Sequence, residues 1–535
     1  MPTPTTPSTH RWAVLVVVSV SALIINVDNT ILNVALPTLV RDLHATSSAL
    51  QWIVDSYAMV FAGLLLVGGS LADRFGRKRF FLFGLIIFGS GSIGAALSGS
   101  AGLLIAWRAV MGLGAALTIP ASLSIVNDVF REPRERAKAI GAWGATIGLG
   151  IAIGPIAGGL LLSRFWWGSI FLVNVPVVLA GLLGALFLVP DSKNPAAAHP
   201  DPVGAALSIV GLGLLLWAII EGPTIGWTSG AVIGGLVASL VVLGSFVGWE
   251  AHSSHPMLKL SLFSNRRFSI AALGETLGTF GLLGALFVQT QFLQFDLGYS
   301  PLQAGIRILP IAAMLVIVAA FSPFFVHLIG VKFTVAAGLA SIAGGLWQVS
   351  ATSTIATTYG QVVPGLLLLG LGAGLLLPTA TNSVVGSLPQ GDSGIGSASN
   401  AVALQVGGAL GVAVVGSTLA TRYQSHLTAA LNGHSISQAV RKEILGSLGG
   451  ALAVARSVGG TTGALLTRAA REAFMSGVEV AFVIGAIVAI VGALIVIGRL
   501  PSVADETLTT KSTELKRKRG TSTEVASRIR RSHDA

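Results

Sequence analysis

Residues 66–79 read Leu-Val-Gly-Gly-Ser-Leu-Ala-Asp-Arg-Phe-Gly-Arg-Lys-Arg, between two long apolar runs. A tight turn carrying Asp73, Arg74, Arg77, Lys78 and Arg79 cannot sit in hydrocarbon. It must be a short loop at a membrane surface. Four positive charges on so short a loop mark that side as cytoplasmic.

Composition agrees with that reading. The chain has 535 residues, 53% hydrophobic and only 10% charged, against roughly 25% charged residues in a soluble domain. It needs lipid as its solvent. A net charge of +11 would suggest nucleic acid in a soluble protein, but here its placement matters more than its size, and no nucleic-acid partner is expected. With no cysteine, disulfides and thiolate metal sites are excluded. The first apolar run continues into Asp28-Asn29-Thr30 without a signal-peptide cleavage site, so it reads as a retained helix.

A spanning helix needs about 20 mostly apolar residues. Such runs lie near 13–35, 51–72, 80–99, 102–125, 138–162 and 167–189, then 203–222 and 229–249, then 268–294, 303–326, 332–352, 360–386, 394–420 and 476–499. The count is fourteen. An N-terminus inside (1–12) places Arg11, the first-loop charges, Arg131, Arg134, Arg136, Lys138, Lys193, Lys259, Arg266, Arg267 and Lys332 on the cytoplasmic side. Only Arg41, Arg164 and Arg307 fall on short outer segments, as the positive-inside rule requires. The stretch 421–475 reads as a long external loop and 500–535 as a basic cytoplasmic tail, its Lys516-Arg517-Lys518-Arg519 suited to an anionic leaflet.

The fourth run contains Gly112-Leu-Gly114-Ala-Ala-Leu-Thr-Ile-Pro120, and the twelfth contains Gly370-Leu-Gly372-Ala-Gly-Leu-Leu-Leu-Pro378. A parallel repeat of two six-helix halves, 13–190 and 268–499, separated by a linker with two further helices at 191–267, produces this correspondence. Arg108 precedes its Gly112, whereas the matching residue in the second half is Leu366. A charge kept in one copy alone is not needed for the fold and points toward function.

The ordered Gly69-x-Leu-Ala-Asp73-Arg74-x-Gly76-Arg77-Lys78 resembles the signature loop of the major facilitator superfamily. The segment Asp28 to Pro37 and the run Arg108-Ala-Val-Met-Gly112 resemble the first- and fourth-helix motifs of its fourteen-helix drug:proton antiporters, the QacA/EmrB type. The fifth run carries Gly141, Gly150, Gly154, Pro155, Gly158 and Gly159, similar to the superfamily's antiporter motif, which implies export. Glycines at 150, 154 and 158 also form one flat strip that a neighbouring helix can approach closely.

Two ionisable residues fall in the outer half of the bilayer: Asp28, about fifteen residues into its run at about 1.5 Å each, and Arg108. Each should face a wet cavity or a partner, since a charge at the helix centre costs about 2.5–3.5 kcal/mol. Burial disfavours a carboxyl's charged form and a nearby guanidinium favours it, so such a pair can be a structural ion pair or a proton-coupling site. Asp28, Arg108 and, more weakly, the shallower Asp55 are the proton-coupling candidates. In the resemblance, Gly69, Asp73, Arg74, Gly76, Arg77 and Lys78 act as a cytoplasmic latch, with Asp73 expected at the start of the thirteenth helix near Ser393. Glu275, about seven residues into the ninth run, could attract a lipophilic cation or reach the interface.

The expectation is an all-α polytopic membrane protein of the major facilitator fold. It would act as a monomer in a bacterial cell membrane, both termini cytoplasmic, exporting hydrophobic and cationic compounds in exchange for protons. Dedicated export of one metabolite, such as a self-made antibiotic, would share every motif. No phosphate-binding Gly-x-x-x-x-Gly-Lys-[Ser/Thr] loop and no His-Glu-x-x-His cluster is present, so neither an ATP-driven pump, nor an enzyme, nor a cofactor or metal is expected.

Overall fold

Inside a bilayer every backbone polar group must be satisfied within the segment itself, so long apolar runs become helices. A computed structural model describes residues 8–194, 199–387, 393–432 and 436–501; the basic cluster at 516–519 lies outside them. The first half comprises α1 (Ser8–Leu43), α2 (Ser47–Phe75), α3 (Arg77–Ala96), α4 (Ala101–Val129), α5 (Pro133–Arg164), and the broken pair α6 (Ser169–Leu172) and α7 (Asn174–Leu188). Then come the inserted α8 (Pro202–Ile225) and α9 (Gly230–His252). The second half comprises α10 (Arg266–Gln291), α11 (Pro301–Thr352), α12 (Tyr359–Gly386), α13 (Ser393–Ala430), the short α14 (Gln438–Gly446) and α15 (Leu448–Val458), and α16 (Gly460–Arg499).

Among the described residues, 13 helices are long and apolar enough to cross a membrane, with α6 and α7 taken as one. One of them, the 52-residue α11, is two crossings in sequence: Gly330 stands at φ 80° and ψ 163°, and the chain reverses there. That gives the fourteen crossings read from the sequence, and the chain is a multi-pass membrane protein. Side chains on the rim match a lipid environment: Phe187 is 80% exposed and Leu240 69%.

The internal repeat is real in space. A Cβ on Gly112 would lie 2.6 Å from the Tyr57 carbonyl of α2, and one on Gly114 2.5 Å from Phe88 N of α3. In the second half, Gly370 meets the Ile311 carbonyl of the first segment of α11 at 2.4 Å, and Gly372 the Gly338 carbonyl of its second segment at 2.5 Å. Each pair of glycines therefore lets a central helix touch the same two neighbours of its own half. The turn at Gly330 is likewise the counterpart of the α2–α3 turn at Gly76, whose φ of 131° excludes most side chains.

The molecule has a basic end, carrying Arg11 and the Gly76 turn, and a far end opposite. Several contacts between the halves lie at the far end. Gln294 Nε2 donates to the Val34 carbonyl at 2.8 Å, a Cβ on Gly159 would lie 2.6 Å from Leu302 Cα, and one on Gly305 would lie 2.2 Å from the Pro155 carbonyl. Toward the basic end the same α5 changes character: a Cβ on Gly141, Gly144 or Gly148 would meet nothing within 4 Å. Along this helix the halves thus meet at the far end, while these three glycines toward the basic end face open space. The inserted pair lies at their seam, with α8 packed on both α2 and α13.

The expectation of a loop at 421–475 needs correction. α13 continues to Ala430, α14 and α15 follow, and α16 begins at Gly460. Tyr423 Oη donates to the carbonyls of Ile444 (2.8 Å) and Ser447 (3.2 Å). A Cβ on Gly449 of α15 would lie 2.5 Å from Val40 of α1 and 2.8 Å from Phe295 beside α10, so this helical cap touches both halves. Hydropathy reports the apolar part of a helix and does not mark where the helix ends.

Candidate functional site: a buried charge cluster in the first half

Asp28 and Arg108 meet. Arg108 Nη1 donates to Asp28 Oδ2 at 2.5 Å, and both side chains are fully buried. The guanidinium is fixed on two further sides: Nε donates to the Ile53 carbonyl at 3.1 Å, and its carbon stands 4.4 Å from the centre of the Tyr57 ring, a cation–π distance. Asn174 Nδ2, at the start of α7, donates to the other Asp28 oxygen at 2.9 Å and also to Ser92 Oγ of α3 at 3.2 Å. Five helices, α1, α2, α3, α4 and α7, therefore converge on one carboxylate. Its charge is compensated, which is the condition for burying it at tolerable cost.

The cluster is confined to the first half. Leu366, the repeat's counterpart of Arg108, is fully buried among apolar neighbours. The repeated architecture thus forms with an apolar side chain at the equivalent position.

Asp55 lies two residues from both Ile53 and Tyr57 on α2, so its side chain leaves the helix on roughly the opposite side. The sequence placed Asp55 shallower than Asp28 and Arg108; in the structure it is fully buried, and neither carboxylate oxygen has a hydrogen-bond partner. Arg108 Nη2 and Asn174 Oδ1 are likewise buried without partners.

Glu275 does not reach the interface. It is fully buried on α10, and its Oε1 accepts from Thr381 Oγ1 of α12 at 2.7 Å and from Asn400 Nδ2 of α13 at 3.3 Å.

The basic turn is a staple within the first half. Asp73 Oδ1 accepts from Arg77 Nε at 2.7 Å, and Arg77 Nη1 stands 3.5 Å from Asp128 Oδ1 at the end of α4. The Arg77 amide donates to the Ser192 carbonyl, and the Asn194 amide to the Asp73 carbonyl. Lys78 Nζ donates to the Leu186 carbonyl in the last turn of α7 at 2.9 Å, where unpaired helix carbonyls attract a cation. Arg74 lies against Phe75, and a Cβ on Gly69 would lie 3.4 Å from Pro120 of α4. The partner expected for Asp73, the Ser393 side chain at the start of α13, is outside the described side chains.

The glycine strip of α5 has two faces. A Cβ at Gly150, Gly154 or Gly158 would collide with Asn26, Thr30 or Ile31 of α1, the closest at 1.9 Å from Thr30 Oγ1. Thr30 Oγ1 also donates to the Gly150 carbonyl at 2.8 Å. Gly159 and Pro155 turn instead to α11 of the other half. One helix thus holds the element bearing Asp28 with one face and the second half with the other.

Sequence reasoning did not single out Tyr57, Ser92, Asn174, Thr381 or Asn400. A signal existed for one of them, since Asn174 is a lone amide in an otherwise apolar run.

Comparisons with known proteins give one answer. The family model described as Major Facilitator Superfamily matches residues 18–412. The chain is 34% identical over 505 residues to the multidrug efflux pump LfrA of Mycolicibacterium smegmatis, covering 92% of this chain and 97% of that one. It is 30% identical to the tetracenomycin C resistance and export protein of Streptomyces glaucescens, covering 92% and 93%. With the methyl viologen resistance protein SmvA of Salmonella typhimurium it shares 31% identity, covering 87% and 93%. Among solved structures, a bacterial homologue of the human lysosomal transporter Spinster, in an inward-facing and occupied conformation, superposes with a TM-score of 0.62 at 16% identity, over 92% of this chain and 97% of that one.

Proposed function

Because the chain belongs to the Major Facilitator Superfamily, we propose that it is a transporter that exports hydrophobic, in particular cationic, compounds from a bacterial cell in exchange for protons. Relatives that span nearly its whole length carry multidrug efflux and resistance names, which supports drug export. The observation that carries the proton coupling is the Asp28–Arg108 pair, buried, compensated, and present in only one of two otherwise matching halves.

In this reading Asp28 is ionised while it holds Arg108 and Asn174. A proton arriving at Asp28 removes the charge that Arg108 neutralises and weakens the link between α1 and α4. Conversely, losing the proton restores the pair. Along α5 the halves meet at the far end, and the glycines toward the basic end face open space, while the pair is formed. That supports the assignment of the paired state to the conformer that has released its proton inward and awaits substrate. Asp55, two residues along α2 from those that hold Arg108, is the second proton-coupling candidate. A ligand shifts such an equilibrium only by its differential affinity for the two conformers, so a proton and a substrate that favour opposite conformers are thereby exchanged. Each elementary charge that crosses 100 mV supplies about 2.3 kcal/mol to the cycle.

The remaining motifs serve the movement. The basic turn, Gly69 to Lys78, acts as the latch at the basic end, placed by the positive-inside pattern on the cytoplasmic side with both termini. The α5 strip, from Gly141 to Gly159, is the surface on which the halves rock. Glu275 supplies the carboxylate for cationic substrates. The transporter works as a monomer, since one chain holds both halves. Dedicated export of a single metabolite is favoured by one observation, the likeness to the tetracenomycin C resistance and export protein.

The energy source is tested in everted vesicles loaded by an imposed proton gradient. Ethidium uptake should collapse with a protonophore and persist without ATP. Uptake that follows ATP in the absence of a gradient would contradict the proposal.

A further inference from the structure

Glu275 differs from Asp28 in one respect: nothing positive faces it. Among the described residues it makes no ion pair, and its Oε2 is buried without a partner. Its neighbours are neutral donors, Thr381 Oγ1 and Asn400 Nδ2, which also bond one another at 3.2 Å. The helices packed on α10 offer no counter-charge at this level. The ionisable residues of α12 and α13 are Tyr359, Arg422, Tyr423 and His426, all toward the far end. At the basic end the neighbouring elements carry Arg266, Arg267, His327, Lys332 and Arg499, and Arg267 Nε is directed to Ser383 Oγ at 3.1 Å.

An ionised carboxylate buried without a counter-charge is costly. Two neutral donors reduce that cost without cancelling it. The site therefore tolerates a carboxylic acid, or a carboxylate beside a cation that arrives from outside. Of the two donors, Thr381 is only half-buried, so the triad is not sealed on that side.

We propose that the Glu275–Thr381–Asn400 triad is a proton–cation exchange site in the second half, where an organic cation displaces the carboxyl proton. The step balances in charge. The Glu275 O–H bond breaks, its proton leaves to water, and the positive group of the substrate takes its place beside the carboxylate. Oε1 keeps the hydrogen bonds from Thr381 and Asn400, and Oε2 faces the cation. The inference rests on the antiport reading and deepens it: cationic substrates would exchange against the proton of Glu275 as well as that of Asp28, and neutral ones against Asp28 alone.

The test measures protons released when ethidium, a lipophilic cation, or Nile red, a neutral dye, binds to the purified full-length transporter in weakly buffered detergent. Glu275→Gln should release one proton fewer per ethidium than the wild type and bind ethidium about tenfold or more weakly, as expected for loss of a charge-assisted contact. Its Nile red binding and proton release should equal those of the wild type. If Glu275→Gln does not yield folded protein, the double change Thr381→Val, Asn400→Ala serves instead. It removes both donors that favour the ionised form, and it should weaken ethidium binding several-fold while leaving Nile red binding at the wild-type level. Equal ethidium-linked proton release by wild type and variant would overturn the exchange site while leaving the antiport reading intact. No proton release by the wild type with either dye would overturn that reading itself.

Discussion

Asn174 Nδ2 lies 2.9 Å from Asp28 Oδ1, so an uncharged amide on α7 shares with Arg108 the task of holding the buried carboxylate. The contact leaves Asp28 with a hydrogen bond on each oxygen and fixes the direction in which it meets the guanidinium. A hydrogen bond to a charged group contributes about 1.5–3 kcal/mol. Asn174→Leu should therefore cut gradient-driven ethidium efflux about tenfold at matched membrane levels, because the coupling carboxyl loses its second anchor. Asn174→Asp should fail at an earlier stage, with little protein in the membrane, since it sets two carboxylates against one arginine. Immunoblots and efflux rates on the two variants check both outcomes.

Closure at the far end depends on backbone approach between the halves. A side chain at Gly305 would begin 2.2 Å from the Pro155 carbonyl, which backbone cannot yield. Gly305→Leu should hold the far end apart. The chain has no cysteine, so Asn33→Cys, beside the small cavity lined by Thr30, Val34 and Pro155, can be introduced alone as a reporter. Labelling by a membrane-impermeant maleimide from outside the cell should be slow in Asn33→Cys and several-fold faster when Gly305→Leu is added. Equal rates would show that this contact does not close the far end.

The latch reading separates from a folding role by comparing two variants of the basic turn. Asp73 and Arg77 are partly exposed, their side chains 33% and 17% accessible, so their pair adds only about 0.2–1 kcal/mol to stability. Asp73→Asn should leave the membrane level unchanged and reduce efflux several-fold. Arg77→Ala removes the shared partner of Asp73 and Asp128 and should reduce both level and efflux. Wild-type efflux by Asp73→Asn at normal level would remove the latch role.

Much of the architecture was legible because lipid makes hydropathy decisive. A run such as 303–326 followed by 332–352 reads as two crossings around a polar break, and the Gly330 reversal inside one unbroken helical stretch matches it. The Gly112 and Gly370 repeat was legible because close backbone approach admits almost nothing but glycine, and the two copies meet equivalent neighbours. Of the charge cluster, Asp28 and Arg108 stood out because charges are rare in apolar runs. Asn174, Ser92 and Tyr57 did not, since their importance arises only when helices far apart in sequence converge. The burial of Asp55 was not legible, because distance along a helix says nothing about what covers it. The cap at 438–458 was missed because a polar stretch with alternating apolar residues reads as a loop until the surface that it covers is known.

The central claim is that Asp28 carries the exchanged proton. Its most direct test is gradient-driven ethidium transport in everted vesicles by Asp28→Asn and by the double change Asp28→Asn, Arg108→Gln, with ethidium binding measured on the same preparations. Asparagine keeps the shape of a protonated aspartate and cannot release a proton. Both variants should bind ethidium and neither should transport it against a gradient. Gradient-driven transport by the double variant, with protein restored to the wild-type level, would contradict the account and reduce Asp28–Arg108 to a structural ion pair.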